Sequence, residues 1–233
     1  MTDVPDVTPL AALMGDPTRG RMLSTLMDGR ARTGTELALE GGVSPSTASS
    51  HLGRLHAGGL IDVARQGRHR YYRIATPEAA ATIEALMGLA ARTGASLPSR
   101  RAGNAAVRRA RVCYDHLAGE VAVCFLDRLK QSQLVDGDEK ALELTGNGAS
   151  WCAEVGIDLR CLHATRRLLC RPCLDWSERR MHLAGALGAT MLTRLFELKY
   201  ARRVSGGRAV ILSREGEAFI EHLELPRRLS GRR

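Results

Sequence analysis

The sequence predicts a mainly α-helical chain with small β-hairpins, arranged as two successive units, and three observations predict it. Aromatic residues make up only 4% of the 233 residues, and Ala, Leu, Arg and Gly dominate, which favours helices over a β-sandwich. Cap residues followed by Pro or by Glu recur in the first hundred residues, each opening an apolar run at helical spacing. Short β-compatible runs joined by a glycine turn occur twice, once in each half.

Taken in order, Asp16-Pro17 is a cap with Pro at the first helical position, and Met22, Leu23, Leu26 and Met27 follow at helical spacing. Thr33-Gly34-Thr35-Glu36 fits a capping box and opens a short helix with Leu37 and Leu39, which Gly41-Gly42 ends. Ser44-Pro45 repeats the cap-plus-proline device and starts STASSHLGRLHA, which stops at Gly58-Gly59. A short helix, a tight glycine turn and a capped second helix make a helix-turn-helix. LIDVAR and HRYYRI read as strands joined by Gln66-Gly67-Arg68, with one tyrosine of the Tyr71-Tyr72 pair turned to the core, because side chains alternate along a strand. Thr76-Pro77-Glu78 caps a further helix to about Thr93. A helix-turn-helix followed by an arginine-rich hairpin is a winged helix.

Charge points to the partner. The net charge is +9, yet residues 1–97 hold ten Arg against nine Asp and Glu. Four of those arginines, Arg65, Arg68, Arg70 and Arg73, fall on the hairpin. The third helix opens with Ser44, Ser46, Thr47, Ser49, Ser50 and His51, with Arg54 a turn on. Ser and Thr are mediocre helix formers. They are small hydrogen-bonding groups that let a backbone enter a major groove and reach base edges or phosphates. Arg65, Arg68 and Arg70 on the wing would meet the sugar-phosphate backbone or the minor groove. Double-stranded operator DNA is therefore the expected partner.

The run from Leu13 to Ile74, with the caps, the serine-rich helix and the arginine hairpin in this order, resembles the winged-helix domain of the ArsR/SmtB family of bacterial transcription repressors, and the likeness covers residues 8–93. The resemblance implies a homodimer, paired through the first and last helices of this domain, that represses a promoter until an inducer releases it. The chain departs from the family where inducers bind. TGTELALEGG lacks the cysteines of one family site, and PEAAATIEALMGLAARTGA lacks the Asp and His of another. Neither site transfers.

Residues 98–107 read as a basic linker between a DNA-binding and dimerisation domain, 1–97, and an effector-sensing or dimerisation domain, 108–233. VRRARVCYDHLAGEVAVCFLDRLKQ is expected to form one long helix, and Asp138 to Val155 a second, interrupted one. HLAGALGATMLTRLFELKY reads as a helix, ARRVSGGRAVILS as a hairpin and REGEAFIEHL as a closing helix, so this end resembles a degenerate second winged helix.

Six cysteines at irregular spacing, behind an N-terminus with no secretory character, point to a cytoplasmic chain with reduced thiols. No apolar run approaches a membrane span. Cys170 and Cys173 have the C-x-x-C spacing that can share a soft metal. Cys113 and His116, three apart on the expected helix, could complete the set. Asp175 and His182 lie near the pair in sequence, and Cys161 with His163 is a weaker candidate. Three readings stand side by side: a sensor of a thiophilic metal or metalloid ion, a thiol redox sensor with a helix starting at Asp175, and buried thiols that only pack. No β-α-β pattern surrounds the motif and no nucleophile-base constellation occurs, so the chain does not read as an enzyme. The alternative from that class is a thiol oxidoreductase or redox-active enzyme using Cys170 and Cys173.

Overall fold

Each expected cap of the N-terminal half forms in the computed structural model, which describes residues 5–67, 69–94, 105–165, 167–205 and 207–225. Two compact units, 1–84 and 85–233, divide the chain within one helix. Unit 1 runs α1 (Thr8–Met14), α2 (Pro17–Leu26), β1 (Arg32–Thr33), α3 (Gly34–Gly41), α4 (Pro45–Ala57), β2 (Ile61–Gln66) and β3 (His69–Ile74), and α5 (Pro77–Thr93) leads on into unit 2. Asp16 caps α2 through the Arg19 N–H, Thr33 and Glu36 close a reciprocal capping box, and Ser44 caps α4. Each cap satisfies N–H groups that a helix start otherwise leaves without partners. The three strands form an antiparallel sheet in the order β1-β3-β2. Met22, Leu26, Leu37, Leu52, Leu55 and Ile61 are buried beneath it, and Tyr72 joins them while Tyr71 stays half-buried.

Unit 2 departs from the expected long helix. Its order is α6 (Ala105–Arg109), β4 (Arg111–Cys113), β5 (His116–Ala118), α7 (Glu120–Gln131), β6 (Val135–Gly137), β7 (Leu142–Leu144), α8 (Gly146–Glu154), α9 (Leu159–His163), β8 (Arg171–Leu174), β9 (Met181–Ala184), α10 (Gly185–Glu197), β10 (Ala201–Arg203), β11 (Val210–Leu212) and α11 (Arg214–His222). The helix itself runs only from Glu120 onward. Before it, Val112 and Cys113 turn back at Tyr114-Asp115 into a hairpin, and Gly119 at φ +97° stands where the long helix was expected to continue. Asp138 to Val155 is likewise a hairpin and one helix. The Asp138 carboxylate accepts from the Lys140 and Ala141 N–H groups and tightens that hairpin's turn. His182 lies on β9, one turn before the helix that was expected to hold it.

The wing-like end is present: α10, β10, β11 and α11 follow in helix-hairpin-helix order. The same order precedes it as α7, β6, β7 and α8, and each set is introduced by a hairpin, β8–β9 and β4–β5. Unit 2 is thus a hairpin-helix-hairpin-helix motif used twice. Matching residues do matching work. Thr145 and Ser213 cap α8 and α11 by accepting from the Gly148 and Gly216 N–H groups. Gly119 and Gly185 open α7 and α10 at φ +97° and +87°. A Cβ there would stand 2.5 Å from the Arg108 carbonyl oxygen and 2.6 Å from that of Leu169. The core joins both halves: Phe125, Trp151, Tyr200 and Phe219 meet with ring centroids 5.9–6.4 Å apart, and the Trp151 indole donates to the Leu223 carbonyl at 2.7 Å.

Two glycine substitutions should move stability in opposite directions. Gly119→Ala meets a left-handed backbone and a carbonyl, so the unfolding of unit 2 in urea should lose more than about 1 kcal/mol. Gly53→Ala places its Cβ on α4 with nothing within 4 Å, and unit 1 should gain about 0.5–1 kcal/mol. Equal effects at both positions would contradict the backbone described here.

Candidate functional site

Two places carry chemistry, one in each unit. On α4 the apolar residues Ala48, Leu52 and Leu55 face inward, leaving Ser46, Thr47, Ser49, Ser50 and Arg54 exposed on the opposite side. Ser44 is partly spent as the cap: its Oγ accepts from the Thr47 N–H at 3.2 Å and lies 2.9 Å from the hydroxyls of Ser46 and Thr47. His51 is half-buried, with Nδ1 3.4 Å from the Arg19 guanidinium and 3.7 Å from Asp16, so its ring is steadied against α2. On the hairpin, Arg65 stands directly opposite Arg70, and both are exposed. Arg73 is offset by Asp62 at 3.7 Å, whereas Arg65 and Arg70 have no carboxylate partner among the described residues. Like charges facing each other across a ladder repel, and an anion between them removes the cost. Arg68 lies outside the described residues.

The second place is a cluster of Cys113, His116, Cys173 and His182, whose ligating atoms all lie within 4.8 Å of one another. Its construction follows from strand register. Cys113 is paired with His116 across β4–β5, and Cys173 with His182 across β8–β9. Directly opposed residues project from the same face of a hairpin. Each hairpin therefore presents one thiol and one imidazole, and the two imidazoles meet with Nε2 atoms 3.1 Å apart. Cys113, His116 and His182 are buried and Cys173 is half-buried.

Carboxylates stand behind both rings. Asp115 Oδ1 is 3.1 Å from His116 Nδ1, and Asp175 Oδ2 is 3.8 Å from His182 Nδ1. Asp115 is paired with Arg167, and Asp175 with the fully buried Arg111 at 3.0 Å. Asp175 also accepts from the Gly119 N–H at 2.6 Å and from Ser177 and Glu178. Burial works against its charge, but Arg111, Ser177 and the Gly119 amide outweigh it and hold the carboxyl down at about 2. Burial also opposes the charge on His116, yet Cys113 and Asp115 carry it up to about 9. His182 goes the other way, lowered by burial and then by the neighbouring His116.

Cys170 does not join this cluster, contrary to the expected set of Cys113, His116, Cys170 and Cys173. The stretch from Cys170 runs directly into strand β8, where residues three apart project from opposite faces. Cys173 therefore faces the imidazoles while Cys170 packs into the apolar core. Burial first, and then nearby Cys152, push the Cys170 thiol up to about 12. Nor does a helix start at Asp175. That residue caps a turn by accepting from Ser177 and Glu178, so no helix terminus activates the pair, and a thioredoxin-type reading loses its basis. Cys161 and His163 are exposed on α9, outside the cluster. His182 is the member that sequence reasoning noted but did not place. The signal for it is the repeat: Arg-x-Cys-x-Asp followed by His-Leu-Ala-Gly occurs at residues 111–119 and again at 171–185, where six residues separate the two parts.

A capped helix-turn-helix with an exposed hydroxyl face and an arginine wing defines a winged-helix DNA-binding regulator. The MarR family profile matches residues 16–70. Over 222 residues the chain is 37% identical to the HTH-type transcriptional regulator YdfF of Bacillus subtilis (strain 168), covering 95% of this chain and 98% of that protein. The chain belongs to this family of HTH-type transcriptional regulators, and it is a DNA-binding transcriptional regulator. Among solved structures it is similar to HlyU from Vibrio cholerae N16961, with 28% identity, 36% of this chain and 89% of that chain covered, and a TM-score of 0.33. It is also similar to the homodimeric winged helix-turn-helix DNA-binding domain of Mb0332 from Mycobacterium bovis, a possible ArsR-family regulator, with 24% identity, 43% and 100% covered, and a TM-score of 0.36. No helix among the described residues is long and apolar enough to cross a membrane.

The cysteines should separate by reactivity. With its pKa raised to about 12, Cys170 stays protonated at about pH 8, where only a thiolate alkylates quickly. In the native protein, iodoacetamide should label the exposed Cys124 and Cys161 and spare Cys170 and Cys152, as read by peptide mass spectrometry. Labelling of Cys170 as fast as Cys161 would show that its side is open.

Proposed function

We propose that the chain is a homodimeric repressor of the ArsR/SmtB type that holds a two-fold symmetric operator and is released when unit 2 receives an effector, a thiophilic metal or metalloid ion. The observation that carries the DNA half of this reading is the α4 face together with the opposed Arg65–Arg70 pair. Ser46, Thr47, Ser49 and Ser50 offer donors and acceptors to base edges, with Arg54 and part of His51 beside them, and Ser44 orders the helix start. Arg65, Arg68 and Arg70 supply the charge that tracks the phosphates. Exposed apolar side chains at the start of α1 (Val7, just before it, and Leu10) and on α5 (Leu86 and Leu89) support pairing through these helices. The functional division is then 1–97 for DNA binding and dimerisation, 98–107 as a basic linker, of which 98–104 lie outside the described residues, and 108–233 for effector response. A dyad relating two recognition helices calls for half-sites about one helical turn apart.

Binding to the chain's own upstream region, measured by fluorescence anisotropy against random duplex, tests the reading. Ser49→Ala should cost about 1–3 kcal/mol on the specific site alone if it meets a base edge. Arg70→Ala should weaken all sequences alike and lower the slope of affinity against salt by about one. Absence of any preference for the upstream region would defeat the proposal. A monomer by sedimentation that still bound DNA one-to-one would defeat the dimer.

A further inference from the structure

We propose that Cys113, His116, Cys173 and His182 hold one tetrahedral, zinc-class divalent cation that joins the two halves of unit 2. The inference deepens the effector reading, since it names the ligands and the kind of ion. Three observations carry it.

The first is the direction of the rings. Asp115 and Asp175 are each committed to an arginine and each stands on the Nδ1 side of a histidine. A carboxylate on that side makes Nδ1 the nitrogen that keeps its proton, so once a cation displaces any proton from Nε2 both Nε2 atoms offer lone pairs to the same point. The two Nε2 atoms lie 3.1 Å apart, a distance that either a shared proton or a metal cation between them accounts for. The Nε2 separation in a tetrahedral site with Zn–N bonds near 2.0–2.1 Å is about 3.3 Å. The second observation is an unsatisfied group. His182 is fully buried, and its Nδ1 makes no hydrogen bond, with Asp175 0.3 Å or more beyond hydrogen-bond reach at 3.8 Å. Drawing the ring into a coordination sphere would let it settle on that carboxylate. The third is chemical. Two thiols and two imidazoles favour a borderline-soft ion and disfavour Mg²⁺ and Ca²⁺, which want oxygen. Four protein ligands leave no open position for a reacting water, so the site is of the closed, non-catalytic kind.

The repeat explains why the ion matters. Neither hairpin can supply more than two ligands, because each contributes one opposed Cys–His pair. The ion would staple β5 to β9, which lie side by side, and so hold the first hairpin-helix-hairpin-helix motif to the second.

The test uses the full, reduced chain without DNA. Titration with Co²⁺ should saturate at one equivalent per chain and give the intense ligand-field bands of a tetrahedral site with thiolate-to-cobalt charge transfer, and Zn²⁺ should displace them. Cys170→Ser should keep this spectrum. Cys173→Ser, at the half-buried position, should lose charge-transfer intensity and bind at least about 100-fold more weakly, the loss of a ligand exceeding the 10–100-fold cost of an outer-shell change. Circular dichroism checks that each variant is folded. The proposal is overturned if the folded parent binds no stoichiometric Co²⁺, if the spectrum is that of a six-coordinate ion, or if Cys170→Ser abolishes binding. Because DNA is absent from the titration, each of these outcomes leaves the operator-binding reading standing, and failure of operator binding leaves the metal result standing.

Discussion

Unit 2 depends on one buried carboxylate. Asp175 is fully buried, and so is its partner Arg111. Taking both charges from water is expensive unless every remaining lone pair and proton is met. Here the meeting is thorough on the carboxylate side: the guanidinium, the Gly119 amide and the Ser177 and Glu178 groups converge on its two oxygens. The Trp176 ring stacks 4.5 Å from the Arg111 guanidinium, a cation–π contact that further shields the charge. These partners come from β4, from the head of α7 and from the turn between β8 and β9. One side chain thereby fixes the spacing of the two hairpins that bear the thiols and imidazoles.

The duplication turns that spacing into a site. Asp115 and Asp175 occupy the same place in the repeated Arg-x-Cys-x-Asp motif, and each stands behind the histidine of its own half. Their partners differ. Asp115 is half-exposed and pairs with Arg167 near the surface, while Asp175 is sealed inside with Arg111. The six additional residues between Asp175 and His182 make the turn that buries it. The interior pair thus takes its arginine from the first copy and its aspartate from the second, and both copies present the same pair of ligating groups.

Unit 1 is organised by a different economy. Helices α2, α3 and α4 begin at side-chain caps and its polar face is made of short hydroxyls, so little side-chain entropy would be lost when that face meets a partner. Among the described residues no carboxylate neutralises the opposed Arg65 and Arg70, while the neighbouring Arg73 is offset by Asp62. An uncompensated repulsion on an exposed ladder suits an anionic surface and offers nothing to the fold itself.

The N-terminal unit was legible because its signals are local. Asp16-Pro17, Thr33 with Glu36, and Ser44-Pro45 each act within four residues, and the hydroxyl face of α4 follows from helical period alone. In unit 2 the sequence pointed to Cys113, His116, Cys170 and Cys173, of which three belong to the cluster. Only the tertiary structure decided how they assemble. The apolar residues from Val107 to Leu129 fit a helical period, but residues 111–118 of that run form a hairpin, held by packing and by Asp175 reaching the Gly119 amide from 56 residues away. Cys170 and Cys173 match a chelating spacing, but on a strand three residues reverse the face, which sends one thiol to the core and the other to His182. Cross-strand register is decided only when the strands pair, and no window of sequence short enough to show a period contains both Arg111 and Asp175, 64 residues apart.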